Sequence, residues 1–189
     1  RHEGMREYWD EVSLPSHKEG DGPLYKGAPP TSYNHNQDRH AIEDVIRWHD
    51  YYEARPGTGH RVSSGGVNII FSDSNTHYRG EQNYRTSGEV DPMRIPKDGF
   101  FAHQVMWNGW VDTEEHGTHM LGHWNYKPGT QKDFYVVSTG EKVELFINGK
   151  SQGFGKKAYS FLFTFEDLRF EPGNVKAVSY DAEGRILST

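Results

Sequence analysis

The stretch Asp73-Ser-Asn75-Thr-His77-Tyr78-Arg79 places a carboxylate, an amide, an imidazole, a phenol and a guanidinium within seven residues. Asp73, Asn75 and His77 can each exchange hydrogen bonds with the hydroxyls of a polar ligand. Tyr78 and Arg79 follow on the same stretch, and an arginine also pairs with an anionic substituent such as a carboxylate or an ester of a mineral acid. These five residues form the candidate substrate-binding set. The competing reading is that they cap the preceding strand and order the loop after it.

Other constellations weigh towards structure. His116, His119 and His123 invite a metal reading, but they fall in strand-like sequence, where positions four apart share a face yet lie about 13 Å apart. They also lack the glutamate of a helical His-Glu-x-x-His site. No metal and no cofactor are therefore expected. With no cysteine in the chain, thiolate catalysis, disulfides and Cys-type zinc sites are excluded. Trp107, Trp110 and Trp124 read as packing at a domain junction, with a sugar platform as the alternative. Lys150, Lys156 and Lys157 read as a solvated hairpin face, and Glu3 and Glu7 as part of a solvated first helical turn.

The candidate set sits where a particular architecture would put a site. Asp38 to Glu53 carries Ala41, Ile42, Val45, Ile46, Trp48, His49 and Tyr52 on one broad helical face, with Asn36 or Asp38 as cap and Arg55-Pro56-Gly57 as stop. A short apolar run, Gly65-Gly66-Val67-Asn68-Ile69-Ile70-Phe71, suits a buried strand. Helix, loop, strand and polar cluster form one unit of a (β/α)8 barrel, whose active site lies at the C-terminal ends of the strands. Pro96 is expected to open a further helix at its first position, with Phe100, Phe101, Val105 and Trp107 packing it back. Residues 1 to 12 suggest a short helix, and Ser13 to Gln37 a long loop of the binding kind.

After Val111 the period changes. Thr118–Gly122, Phe134–Ser138, Val143–Ile147, Ser160–Phe165, Asn174–Tyr180 and Arg185–Ser188 are strand-like segments separated by turn signals, of which Asn148-Gly149 is the strongest. Short strands at this spacing indicate a β-sandwich. The expected fold is thus α/β plus all-β: residues 1–112 as the C-terminal part of a (β/α)8 TIM barrel, and residues 113–189 as an immunoglobulin-like β-sandwich, truncated at the chain end.

Composition narrows the function. Hydrophobic residues make up only 33% of the 189 residues, but 14% are aromatic, so rings must supply much of the core. The net charge of −6 is mixed along the chain without a basic stripe, which argues against nucleic acid. No apolar run approaches the roughly 20 residues of a membrane span.

The motifs then resemble one family in order. Gly65–Asp73 is similar to the final barrel strand of family 2 glycoside hydrolases. Ser87-Gly-Glu-Val-Asp91 to Ile95-Pro-Lys-Asp98, with His103-Gln104 and Trp107, resembles the product loop and aromatic-rich helix that come after that strand in the family. Gly122-His-Trp-Asn125, Val143-Glu-Leu-Phe-Ile-Asn-Gly-Lys150 and Val175-Lys-Ala-Val-Ser-Tyr-Asp181 resemble the sandwich behind it. The resemblance implies a fragment of a retaining glycosidase cleaving β-glycosidic, often β-galactosidic, bonds in oligo- or polysaccharides. Its two carboxyl groups would lie about 5–5.5 Å apart. By the resemblance both are Glu upstream of Arg1, so no catalytic residue is assigned within the chain, and the fragment alone is expected to be inactive. The family's Trp is replaced by Ile69-Ile70-Phe71-Ser72, which together with the loop bearing His17, Lys18 and Lys26 points to a modified or charged sugar, such as an algal galactan. Implied partners are the carbohydrate and the remaining domains of the parent glycosidase. The compartment is open, with a periplasmic or secreted bacterial enzyme favoured. The alternative is a non-catalytic carbohydrate-binding or structural sandwich module.

Overall fold

The structure, a computed structural model, describes residues 37–54, 71–73 and 88–189. The expected helix at residues 1–12, the loop before residue 37 and most of the run Gly65–Phe71 lie outside the described residues.

Helix α1 spans Gln37–His49 and continues as a π-helical turn, Asp50–Ala54. Helix α2 spans Asp98–Trp110. Pro96 stands one residue before the N-cap Lys97, not at the first helical position. The reason is that Pro96 bridges Val90 and the Lys97 N–H donates to the Glu89 carbonyl at 3.0 Å. The chain is therefore still extended at Lys97, with φ −96° and ψ 172°.

The strands are β1 (Thr118–Leu121), β2 (Gln131–Ser138), β3 (Lys142–Ile147), β4 (Lys150–Phe154), β5 (Lys156–Ala158), β6 (Leu162–Arg169), β7 (Val175–Tyr180) and β8 (Ile186–Ser188). They form two four-stranded antiparallel sheets, ordered β1-β2-β6-β5 and β4-β3-β7-β8. Alternation dictates which face is buried. Phe134 and Val136 of β2 meet Phe163 and Phe165 of β6, Val143 and Leu145 of β3 and Ala177 of β7, so residues of both sheets share one core. This is the expected sandwich.

At one end the two sheets are joined by hydroxyls. Thr118 Oγ1 lies 2.9 Å from Ser138 Oγ and 2.5 Å from Ser188 Oγ, and Ser188 Oγ lies 2.9 Å from Ser179 Oγ. Ser138 and Ser179 are fully buried, and each finds its partner within this chain of four. The Asn148-Gly149 turn has the positive φ values expected of it, 52° and 78°. The Asn148 side chain also accepts from the Asn174 N–H and donates to the Pro172 carbonyl, tying two turns together.

The two helices pack as a further layer. Ala41 and Val45 of α1, with Ala102, Val105 and Met106 of α2, form one cluster with Leu121, Val137, Phe161 and Leu162. Val137 lies on the face of β2 opposite to Val136, so the helices cover the outer face of the first sheet. Among the described residues there is no parallel barrel sheet. The described segment preceding α2 shows two isolated bridges, parallel between Ser72 and Val90 and antiparallel between Val90 and Pro96.

Candidate functional site

Asp73 follows directly on the bridge between Ser72 and Val90. Its backbone N–H donates to the Val90 carbonyl, and the Val90 N–H donates to the Phe71 carbonyl. Its carboxylate receives the Lys97 ammonium at 2.7 Å on Oδ2 and the Gly88 N–H at 2.8 Å on Oδ1. Both partners of the ion pair are almost wholly buried. Asp73 thus ties the backbone at Gly88 to the residue before α2. Asn75, His77, Tyr78 and Arg79 lie outside the described residues.

The turn from 88 to 98 is built on a second carboxylate. Asp91 Oδ1 accepts the N–H groups of Met93 and Ile95, both at 2.8 Å, and Arg94 takes a left-handed φ of 72°. This turn aims Lys97 back at Asp73. Glu89, on the same segment, reaches His103 of α2 at 3.0 Å, and the Trp48 ring meets the His103 ring edge-on. Burial pulls the His103 pKa down, but the hydrogen bond to Glu89 and the charges of Glu89 and Asp44 outweigh it, so the imidazole titrates above its ordinary value.

Glu89, His103 and Trp48 border an apolar groove of about 770 Å³. It is also lined by Phe100, Gln104 and Trp107 of α2, by the C-cap residue Val111 and by Phe71. Trp107 is 60% exposed and Phe71 62%, so apolar side chains stand open along this groove.

The three histidines separate. His119 lies 3.0 Å from Asp98 and stacks on Phe101. His123 stacks on Tyr126 and accepts the Asn125 N–H. His116 is exposed. No group of three or more potential metal ligands occurs among the described residues. The tryptophans separate as well. Trp110 packs edge-on against Phe161, and its indole N–H donates to Glu53, which fits junction packing. Trp124 lies in a ring cluster with Tyr126, Phe134 and Phe170, and donates to the Glu171 carbonyl.

Sequence reasoning carried Glu89, Lys97 and His103 only as parts of a motif and assigned them no contacts. Their pairing depends on a turn whose left-handed Arg94 no residue type announces.

Residues 129–188 match a family model described as a domain of unknown function, DUF4982. Over 182 residues, 95% of this chain, the sequence is 31% identical to a β-glucuronidase of Formosa agariphila, of which it spans 17%. It is 34% identical over 102 residues, 53% of the chain, to a β-galactosidase of Bacteroides ovatus, of which it spans 11%. A solved structure described as a β-glucuronidase from glycoside hydrolase family 2 superposes over the whole chain with a TM-score of 0.69 and 29% identity, with 18% of that structure covered. The chain therefore spans less than a fifth of the length of these relatives. Taken with the ordered motifs, these matches show a chain similar to a segment of glycoside hydrolase family 2 proteins.

Proposed function

We propose that the chain is the part of a retaining β-glycosidase in which the end of a (β/α)8 barrel meets an immunoglobulin-like sandwich. The observation that carries this reading is the similarity to a β-glucuronidase along 95% of the chain. The open groove beside α2 supports it, because Trp107 of the helix and its C-cap Val111 are each 60% exposed, which fits a surface on which the remaining domains of a parent glycosidase pack. In this reading the substrate is an oligo- or polysaccharide with β-glycosidic, preferentially β-galactosidic, bonds. Asn75, His77, Tyr78 and Arg79 are its candidate hydrogen-bonding groups by residue type, with Arg79 suited to a charged or sulfated sugar such as an algal galactan unit. Asp73 is held by Lys97 and Gly88. The catalytic carboxyl pair lies elsewhere in the parent enzyme, and export to the periplasm or outside the cell suits a polymeric substrate.

The test is hydrolysis of aryl β-galactosides, aryl β-glucuronides and sulfated galactan oligosaccharides by the full-length parent protein, beside the 189-residue chain alone. Turnover by the parent and none by the chain alone is the expected result. A parent that cleaves no β-glycoside, or a chain as active as the parent, would overturn the proposal.

A further inference from the structure

The second sheet keeps one face in the sandwich core and turns the other outward. On the outward face Glu144 of β3 stands in register with Phe154 of β4 on one side and Val178 of β7 on the other. Both Glu144 oxygens are held: Ser151 Oγ donates to Oε1 at 2.5 Å, and the Tyr180 hydroxyl donates to Oε2 at 3.1 Å. The rings of Phe154 and Tyr180 approach to 6.1 Å. Phe154 is 60% exposed, as is Ile186 at 63%, the β8 partner of Tyr180. Val178, on the same face, is buried, so the side chains around it form a packed patch.

The backbone is shaped to assemble this patch. Ser151 and Phe154 are three residues apart, and a regular strand would turn them to opposite faces. Between Glu144 and Phe146 the β3–β4 register breaks, and Gly153 takes a φ of 88°. The extra residue this places in β4 lets Ser151 and Phe154 both pair with outward-facing residues of β3. Bulges of this kind re-aim side chains at sheet edges.

We infer that the outer face of β4-β3-β7-β8 is a glycan-binding surface, on which a pyranose lies against Phe154 and donates its hydroxyls to Glu144. An exposed aromatic ring offers a flat apolar surface on which the C–H face of a sugar can pack. A carboxylate oxygen can accept more than one donor, so Glu144 keeps lone pairs for hydroxyls beyond Ser151 and Tyr180. Because those two residues already fix Glu144, little ordering is left to the binding event. The inference rests on the β-glycosidase reading only for the choice of glycans: the surface would retain a polymer that the parent enzyme cleaves at another place.

The test is gel-retardation electrophoresis of the 189-residue chain in agarose-derived galactan, κ-carrageenan and xyloglucan, with Phe154→Ala, Phe154→Leu and Glu144→Gln beside it. At least one glycan should retard the parent chain. Each variant should bind about tenfold more weakly with an unchanged circular dichroism spectrum. Phe154→Leu keeps an apolar side chain and removes only the ring, so it preserves the test if Phe154→Ala fails to fold. No retardation by any of the three glycans, or equal retardation of parent chain and variants, would overturn the inference. Hydrolysis of aryl glycosides by the full-length enzyme should be unaffected by Phe154→Leu, so loss of catalysis and loss of this surface are separate outcomes.

Discussion

Asp73 and Lys97, 24 positions apart in sequence, meet at 2.7 Å with side chains only 6% and 3% exposed. The pair ties the start of one polar segment to the N-terminus of α2. Lys97→Met removes the cation and leaves a carboxylate in a site closed to water. The cost should be about 3–5 kcal/mol. The double change Asp73→Asn with Lys97→Met should cost clearly less than the sum of the single changes. Urea denaturation followed by tryptophan fluorescence measures both, and additive losses would deny the coupling.

Gly109 marks the contact between α2 and the sandwich. A β-carbon there would stand 2.1 Å from Phe161 Cε1, and the Phe161 ring is buried. Alanine is worth about 1 kcal/mol over glycine within a helix, but forcing a methyl against a packed ring costs about 1–3 kcal/mol. Gly109→Ala is therefore expected to destabilise, and Phe161→Leu in the same chain to recover part of the loss. A higher melting temperature for Gly109→Ala alone would show that the ring yields freely.

Glu53 joins the π-helical turn to the β5–β6 turn. It accepts from Ser160 Oγ at 2.6 Å and from the Trp110 indole, and lies 3.2 Å from His49. Burial raises its pKa, but the bonds from Ser160 and Trp110 and the nearby His49 outweigh this, so the folded value is below 4.5. A depressed carboxylate pKa contributes stability that is present above the unfolded value and lost as pH falls through the folded one. Melting temperatures should decline below pH about 4.5 less steeply in Glu53→Gln than in the parent chain. Equal slopes would deny Glu53 this role.

His103 has the opposite sign. Its folded pKa lies above the ordinary 6.5 because Glu89 and Asp44 outweigh burial. Its contribution is complete below pH 6.5 and is lost as pH rises through the folded value. Glu89→Gln should bring the His103 titration, followed by proton NMR of the imidazole, to a lower pH. An unshifted titration would mean that Glu89 does not hold the proton.

The sandwich was legible because strand alternation and turn chemistry are local. Val143, Leu145 and Ile147 face inward as their spacing requires, and Asn148-Gly149 turns as its residue types demand. What stayed hidden is non-local. No period in the sequence says that Ser151 and Phe154 share a face, because that depends on one bulge. Nor does the sequence announce that Asp73 spends both oxygens on Lys97 and Gly88, since three segments must fold before they meet. Pro96 was a sound helix signal displaced by two positions, because the bridge to Val90 holds the backbone extended until Lys97.

The cluster shared by Ala41, Val45, Ala102, Val105 and Met106 with Leu121, Val137, Phe161 and Leu162 runs across residue 112, where the sequence changes its period. Asp98 fastens the same seam, accepting the Gly122 N–H and bonding His119. Helical layer and sandwich are thus not interchangeable parts. A recombination event, or a protein engineer, exchanging the sandwich at that point would deliver one partner without the surface fitted to it. The two are expected to have been inherited as a single unit, whatever other domains a parent enzyme gains or sheds.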